Sequence, residues 1–347
     1  MRTIARVSLI CAMLSLAAVG SFGLDLREGV VKIAIDESSA RVSLYRLVDI
    51  AKDRYEALIY DVDSRTSYIT LSFEGRQYKL GDSADFRQNI SRTDKGATIE
   101  FKSSFARVTE SLEFARSAGA AIADGIRVSF VVENVSQKDA TIGLRFLVDT
   151  YLGEKSGLHF RTPTKAKVTT ETFFEGSTLE AWVASPGDNS IFMVQFIGEG
   201  LAGPSTVHLA NWKRLNDAPW SIEPSNARNF TLLPYSVNDS ALALYWQPKT
   251  IAKGATLSAS VAMGSWNEKG YPPASADSGA NDLFSKTVLA QQGSGDMNSL
   301  IASDLLSVRD LLSRIDLVLS SGVAPGADEI ASWRKILDLL EDRKKGY

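Results

Sequence analysis

Apolar and polar residues alternate along most of the chain, from about residue 29 to residue 266, in short segments. A period of two is the pattern of a half-buried β-strand. The clearest segment spans residues 141–148, where one face carries Ile142, Leu144, Phe146 and Val148. Comparable patterns predict strands at residues 41–47, 67–73, 126–133, 179–185, 190–197, 240–246 and 255–263.

These strands follow one another without predicted helices between them. Parallel strands need crossover helices, so roughly fifteen such strands predict antiparallel sheets packed face to face. The predicted fold is therefore mainly β, with a large antiparallel β-supersandwich over residues 24–271. A transmembrane barrel is the competing all-β interpretation, but its strands would continue to the C-terminus.

The pattern changes after the predicted sandwich. Residues 272–297 are rich in Ala, Ser, Gly and Asp, which is typical of a linker. Within residues 298–347, apolar residues recur at spacings of three and four on both sides of Pro325 and Gly326, which predicts a C-terminal α-helical hairpin. The main apolar stripe of its first helix consists of Ile301, Leu305, Val308, Leu312, Ile315 and Leu319.

The first helix of this hairpin also carries apolar residues outside its main stripe. A helix that is apolar over a wide arc must be covered over a wide arc. We therefore expect the hairpin to dock either on the sandwich or on another chain. The candidate partner-docking residues are Leu306, Leu311, Val318 and Trp333.

The N-terminus has the layout of a secretory signal peptide over residues 1–23. Arg2 and Arg6 precede an uncharged apolar stretch that ends in small residues. A membrane anchor is the alternative, but about 16 apolar residues are fewer than the ~20 that span a bilayer. Cleavage would remove Cys11, the only cysteine, and a chain without disulfides suits the bacterial periplasm. The expected location is periplasmic or secreted.

The sequence contains no catalytic or cofactor motif in the structural context that such a motif needs. Gly198, Gly200 and Gly203 form a Gly-x-Gly-x-x-Gly motif, but Pro204 and another strand follow where a dinucleotide site needs a helix. The motif therefore predicts a hairpin loop. Two histidines without ligand spacing indicate no metal site, and we expect no cofactor. Nucleic acid is not an expected partner, because the chain is acidic.

Two features are candidates for ligand binding. The segment after the clearest strand concentrates charged residues in one loop, which is either a binding site or a solvated connection. Five of the six tryptophans lie between residues 182 and 266, and rings there could stack on a sugar or fill the core. The candidate ligand-binding residues are Asp149, Glu154, His159, Arg161, Trp212 and Trp220.

Two segments carry a family resemblance. Residues 143–153 and 238–248 resemble exported bacterial β-sandwich proteins, including spirochaete ones, whose architecture is similar to the supersandwich of the galactose mutarotases. The resemblance implies this fold over residues 25–266. Mutarotases use a histidine acid and a glutamate base, with one histidine in an Asn-His motif that neither His159 nor His208 has, so no catalytic residue is carried over.

Two functions remain open at this point. The first is a non-enzymatic periplasmic protein for binding or assembly, whose helical hairpin docks on an envelope or periplasmic partner. The alternative is a carbohydrate-binding or mutarotase-like carbohydrate-active protein, with a glycan as its ligand.

Overall fold

The structure is a computed structural model that describes residues 23–120, 122–273, 297–321 and 325–345. The predicted signal peptide, except for Gly23, and residues 274–296 of the predicted linker lie outside this part of the chain. The described residues form three antiparallel sheets followed by C-terminal helices. The predicted mainly β fold is confirmed, including each of the strands predicted above.

A small sheet at the N-terminal end pairs consecutive strands in chain order: β1 Leu24–Glu28, β2 Val31–Asp36, β3 Arg41–Asp49 and β4 Arg54–Ala57. A six-stranded sheet has the spatial order β12 Thr172–Glu175, β15 Thr206–Asn211, β16 Ser240–Ile251, β11 Ala140–Thr150, β5 Tyr68–Phe73 and β6 Arg76–Lys79. A seven-stranded sheet has the order β13 Trp182–Pro186, β14 Ile191–Gln195, β17 Thr256–Ser265, β10 Gly125–Asn134, β9 Ala106–Ala115, β8 Gly96–Lys102 and β7 Arg87–Thr93. Two short 3₁₀ helices, Ser64–Thr66 and Gly176–Thr178, lie between strands.

The core of the sandwich lies between the six-stranded and seven-stranded sheets. Phe130 of the seven-stranded sheet contacts two rings of the other sheet, with centroids 5.5 Å from Phe146 and 6.2 Å from Trp246. The alternating residues of β11 that the sequence placed on one face are all buried there, and the inner side of the small sheet adds Ile33 and Leu44 to the same cluster. Strand alternation thus identified the inner face correctly.

The connection after β14 corrects one prediction. β14 and β15 belong to different sheets, so residues 198–203 cross between sheets and do not form a hairpin. A Cβ atom at Gly203 would lie 1.9 Å from the carbonyl oxygen of Phe196. Glycine is required here because the two backbone segments approach closely, and not because of a phosphate.

A short helix, α1 Trp212–Asp217, directly follows β15 and begins the segment between Trp212 and Trp220. Asn211 is its N-cap, and the Asn211 side chain accepts a hydrogen bond from the amide of Arg214. Leu215 is fully buried under the helix. The helix is six residues long with two apolar residues, Trp212 and Leu215, which is too short a stretch to show a helical period in the sequence.

The C-terminal hairpin consists of α2 Met297–Ser321 and α3 Ala327–Lys344. Leu311 packs with residues 336 and 340 of α3, and Arg343 pairs with Asp304 at 2.6 Å. The hairpin docks on the chain's own small sheet. The carboxylate of Asp310 accepts a hydrogen bond from the amide of Gly29 at 2.9 Å, and Arg309 donates to the Gly29 carbonyl. None of the described helices is both long and apolar enough to cross a membrane.

The candidate docking residues have mixed exposure. Leu306 and Leu311 are buried within the chain, and Val318 and Trp333 are half-buried. By contrast, Leu305 and Leu312 of the predicted main stripe are exposed at 54% and 56%. The apolar stripe identified the buried face only in part. Val308 and Ile315 pack against the hairpin core, whereas the docked helix also buries three polar residues, Asp304, Ser307 and Asp310.

Candidate functional site

The outer face of the six-stranded sheet carries polar and aromatic side chains in register. On β11, Arg145, Leu147 and Asp149 alternate with the core residues and therefore point away from the sandwich core. One cross-strand row consists of Glu175, Thr206, Tyr245, Arg145, Thr70 and Lys79. The next row consists of Phe173, His208, Ala243, Leu147 and Tyr68.

Residues 212–222, here called the covering segment, lie over the middle of this face. Leu215 packs among Tyr68, Leu147 and Tyr245, with Trp212, Trp220 and Ile222 around them. The Trp212 indole also donates a hydrogen bond to the carbonyl of Thr66 at 2.9 Å. The face is therefore closed in this structure and is not an open cleft.

Arg145 fixes the covering segment to the sheet. Its guanidinium is buried, and Nη1 donates to the carbonyl oxygens of Trp220 at 2.7 Å, Leu215 at 3.2 Å and Ala218 at 3.3 Å. Nη2 donates to the Tyr68 hydroxyl at 3.1 Å. The Arg145 guanidinium thus donates hydrogen bonds to carbonyl groups at and beyond the C-terminal end of α1, which would otherwise lack donors.

Two buried polar atoms beside Arg145 have no hydrogen-bond partner. The Tyr245 hydroxyl is one, and burial raises its pKa to about 12, although the Arg145 charge opposes the shift. The other is Nδ1 of His208, whose ring lies 4.8 Å from that of Tyr245. Burial lowers the pKa of His208 to about 4, so the ring is neutral at pH 7. Burying these two atoms without hydrogen-bond partners costs stability.

An open groove of about 1040 Å³ adjoins this face. Phe173 stands where the two meet: its ring is 47% exposed and lies edge-on to His208 at 6.2 Å. In the wall, the buried carboxylate of Glu180 accepts hydrogen bonds from the hydroxyls of Thr162 and Thr164. The other polar groove residues are Lys165, Glu175, Ser177, Thr178, Ser205 and Thr206.

Three carboxylates meet at the end of the same sheet. Asp149 near the end of β11, Glu154 just after it and Asp239 just before β16 place oxygen atoms within 4.8 Å of one another. The amide of Ser240 donates to Glu154 at 2.8 Å. Burial raises the pKa of Asp149 to about 7 and that of Glu154 to about 8, and it also raises the pKa of Asp239.

This carboxylate cluster has two possible chemistries. Near neutral pH it can hold and exchange protons, and when ionised it offers the oxygen ligands that Ca²⁺ or Mg²⁺ prefers. The sequence found no metal motif because Asp239 lies far along the chain from Asp149 and Glu154. The sequence did contain a signal that could have drawn attention to Asp239. This residue lies in residues 238–248, one of the two segments that carry the family resemblance.

The remaining predicted ligand-binding residues are dispersed. His159 is buried against Phe230 at 4.4 Å, and burial lowers its pKa to about 4. Arg161 lies on the side of the seven-stranded sheet, with its guanidinium 4.2 Å from the Trp266 ring. Trp212 connects the covering segment to the carboxylate cluster, because its amide donates to the Asp239 carbonyl at 3.1 Å. Trp220 lies over Tyr245, with ring centroids 5.7 Å apart.

No protein-family profile matches the chain, and no curated protein matches it. Solved structures of similar shape include a putative aldose 1-epimerase from Escherichia coli K12, 9% identical, with a TM-score of 0.43 over 70% of this chain and 98% of that one. A galactose mutarotase-like protein from Lactobacillus casei is 11% identical, with a TM-score of 0.39 over 70% of this chain and 100% of that one. A GalM/aldose epimerase homologue from C. elegans is 8% identical, with a TM-score of 0.40 over 71% of this chain and 99% of that one. Identities and TM-scores this low carry no conclusion about residues or activity.

Proposed function

We propose that this chain is an exported carbohydrate-binding protein whose ligand occupies the groove beside Phe173. The observation that carries the proposal is the exposed Phe173 ring at the mouth of a groove lined by hydroxyl and charged side chains. A sugar presents an apolar ring face and a rim of hydroxyl groups. An exposed aromatic ring together with convergent hydrogen-bonding groups is complementary to both.

Export is part of this proposal and rests on the N-terminal sequence. Arg2 and Arg6 before an apolar stretch are the features that support a cleaved leader. In cell fractionation, the chain should be found in the periplasm or the medium at the mass expected after cleavage near Gly23. Retention in the cytoplasm at full length would contradict this part of the proposal.

We favour binding over turnover because the polar centre of the sheet face is covered. Arg145 holds the covering segment by three carbonyls, and Tyr245 lies beneath its Trp220, with the His208 ring 4.8 Å from Tyr245. A group must reach the reacting atoms to act as an acid or a base. We therefore expect no acceleration of anomeric exchange in an NMR exchange experiment with a sugar that the protein binds. A clear acceleration would overturn the non-enzymatic part of the proposal.

The groove is tested by a glycan array followed by calorimetric titration of the strongest glycan. Phe173→Ala should weaken binding about tenfold or more, because it removes the exposed stacking ring. The matched control is Tyr235→Ala, which removes another exposed aromatic ring and should leave the affinity unchanged. No binding to any glycan, or equal loss in both variants, would contradict the assignment of the groove.

Assembly through the helical hairpin is a second candidate, favoured by the exposed Leu305 and Leu312 on one helical face. Light scattering after size-exclusion chromatography would compare the wild-type chain with a Leu305→Ser/Leu312→Ser variant. Self-association that this variant abolishes would support the candidate, and a monomeric wild-type chain would count against self-assembly.

A further inference from the structure

A rigid apolar turn projects from the end of the six-stranded sheet, at residues 232–237. Leu233, Tyr235 and Val237 are exposed at 73%, 68% and 65%, which is unusual for three large side chains within five residues. Residues 230–238 contain no charged side chain. The Lys213 ammonium lies 5.1 Å from the centre of the Tyr235 ring and is already paired with Asp217. The turn is thus an electrically neutral, apolar projection, here called the apolar tip.

The conformation of the apolar tip is held by hydrogen bonds. Leu232 and Ser236 exchange two backbone hydrogen bonds of 2.9 and 3.0 Å, and the Tyr235 amide donates to the Leu232 carbonyl at 2.8 Å. The buried side-chain amide nitrogen of Asn211, Nδ2, donates to the Ser236 hydroxyl at 2.9 Å and to the carbonyls of Phe230 and Asp239. Because these bonds fix the backbone, the three side chains are presented outward with little further loss of entropy on binding.

We propose that the apolar tip inserts into the interfacial region of a lipid bilayer and attaches the protein peripherally to a membrane. Three partly exposed side chains of this size offer at most about 600 Å² of apolar surface. A standard protein partner buries ~800 Å² on each side, so the tip is small for a protein interface. A lipid surface has no minimum footprint, and it accepts aliphatic side chains beside an amphipathic tyrosine ring.

The neutral tip also indicates which lipids matter. With no cation of its own, and with Lys213 paired, the tip has no preference for anionic headgroups. The chain carries 41 acidic against 38 basic residues, which gives it no general attraction to a negative surface. Attachment is therefore hydrophobic and persists at high salt, whereas an electrostatic attachment weakens.

The experiment is flotation of the chain without residues 1–23, whose apolar stretch would itself bind lipid, with phosphatidylcholine–phosphatidylethanolamine vesicles at low and high salt. EDTA is added so that no divalent cation bridges the carboxylate cluster to lipid phosphate. The wild-type chain should float with the vesicles, and Leu233→Ser/Tyr235→Ser/Val237→Ser should lose at least about tenfold in partitioning. A control that removes exposed apolar groups elsewhere, Val62→Ser/Val131→Ser/Ile197→Ser, should float like the wild type. Failure of the wild type to float, or flotation of the tip variant, would overturn the proposal.

A local probe excludes indirect effects of substitution. Cys11 is the only cysteine and lies in residues 1–23, so Leu233→Cys in the chain without those residues accepts one environment-sensitive dye at the tip. Its emission should shift to the blue on addition of vesicles, whereas a dye at Val62→Cys should not respond. Equal responses at the two sites would contradict insertion by the tip. Phe173→Ala should float normally, so failure of the sugar proposal and failure of the membrane proposal give different results.

Discussion

The two faces of the six-stranded sheet are buried in different ways. The inner face fills the sandwich with apolar side chains from both sheets, such as Phe146 against Phe130. The outer face is covered by the chain's own residues 212–222, and it buries Arg145, Tyr245 and His208. The inner face is organised mainly for stability, because most of its buried side chains are apolar and pack against one another, with Glu110 beside Arg41 as a buried exception. The outer face also buries polar side chains, and the Tyr245 hydroxyl and His208 Nδ1 lack hydrogen-bond partners there.

The largest expected effect is on the inner face. Phe146→Ala should lower the free energy of unfolding by about 4 kcal/mol, because it removes a ring and leaves a cavity between the sheets. Urea denaturation followed by circular dichroism measures this. The control Val131→Ala, at an exposed position, should change stability by less than about 0.5 kcal/mol. Equal effects would mean that the sheets do not pack as described.

On the outer face, Arg145→Met should cost about 3 kcal/mol, because it leaves the carbonyls of Leu215, Ala218 and Trp220 without their donor. The substitution keeps an apolar side chain of similar length. Hydrogen exchange should speed up in residues 212–222 more than in the strands of the inner core. Unchanged exchange in that segment would show that Arg145 does not hold it.

The carboxylate cluster predicts a pH dependence with a definite sign. A carboxyl group whose pKa is higher in the folded than in the unfolded state stabilises the fold when protonated. For Glu154 this stabilisation is present below the ordinary pKa of 4.5 and is lost as the pH rises through about 8. Glu154→Gln keeps an oxygen for the Ser240 amide and should lose less stability between pH 5 and pH 8, by on the order of 1 kcal/mol.

The control for the pH experiment is Glu199→Gln, at an exposed position, which should keep the wild-type pH profile. Some dependence should remain in Glu154→Gln, because burial also raises the pKa of Glu110 to about 8. A profile for Glu154→Gln identical to that of the wild type would contradict a buried, protonated Glu154.

The smallest expected effect on stability is at Tyr245 on the outer face, and its sign is opposite to that of Phe146→Ala. Tyr245→Phe removes a buried hydroxyl that has no hydrogen-bond partner, so stability should stay within about 0.5 kcal/mol of wild type or rise by up to about 1 kcal/mol. Thermal and urea denaturation together measure this change. A loss above about 1.5 kcal/mol would mean that the hydroxyl makes a bond in solution, and the contrast between the two faces would weaken.

The sequence predicted much of the fold and part of the candidate site. Alternation on β11 identified the core-facing residues, because a strand repeats every two residues whatever its neighbours are. The charged segment after that strand contained Asp149 and Glu154, two of the three clustered carboxylates. His159 and Arg161, close by in sequence, face other parts of the molecule, because the backbone after Glu154 leaves the sheet and crosses to β13. Closeness in sequence therefore predicted the shared location of Asp149 and Glu154, which both lie at the end of the sheet. It failed for His159 and Arg161, which follow after the backbone has left the sheet.

What the sequence determined by itself was local: the strand periodicity and the two C-terminal helices. Tertiary structure alone decided which strands are neighbours, since β11 pairs with β5 and β16 from distant parts of the chain. That pairing brings Asp239 to Asp149 and Tyr245 to Arg145. It also determines that residues 212–222, polar enough to resemble a loop, cover a sheet face, and that α2 docks through Asp310 on Gly29. The apolar period of a segment depends only on which side of its own backbone is buried. Which distant segments become neighbours depends instead on how all the strands pack in the sandwich.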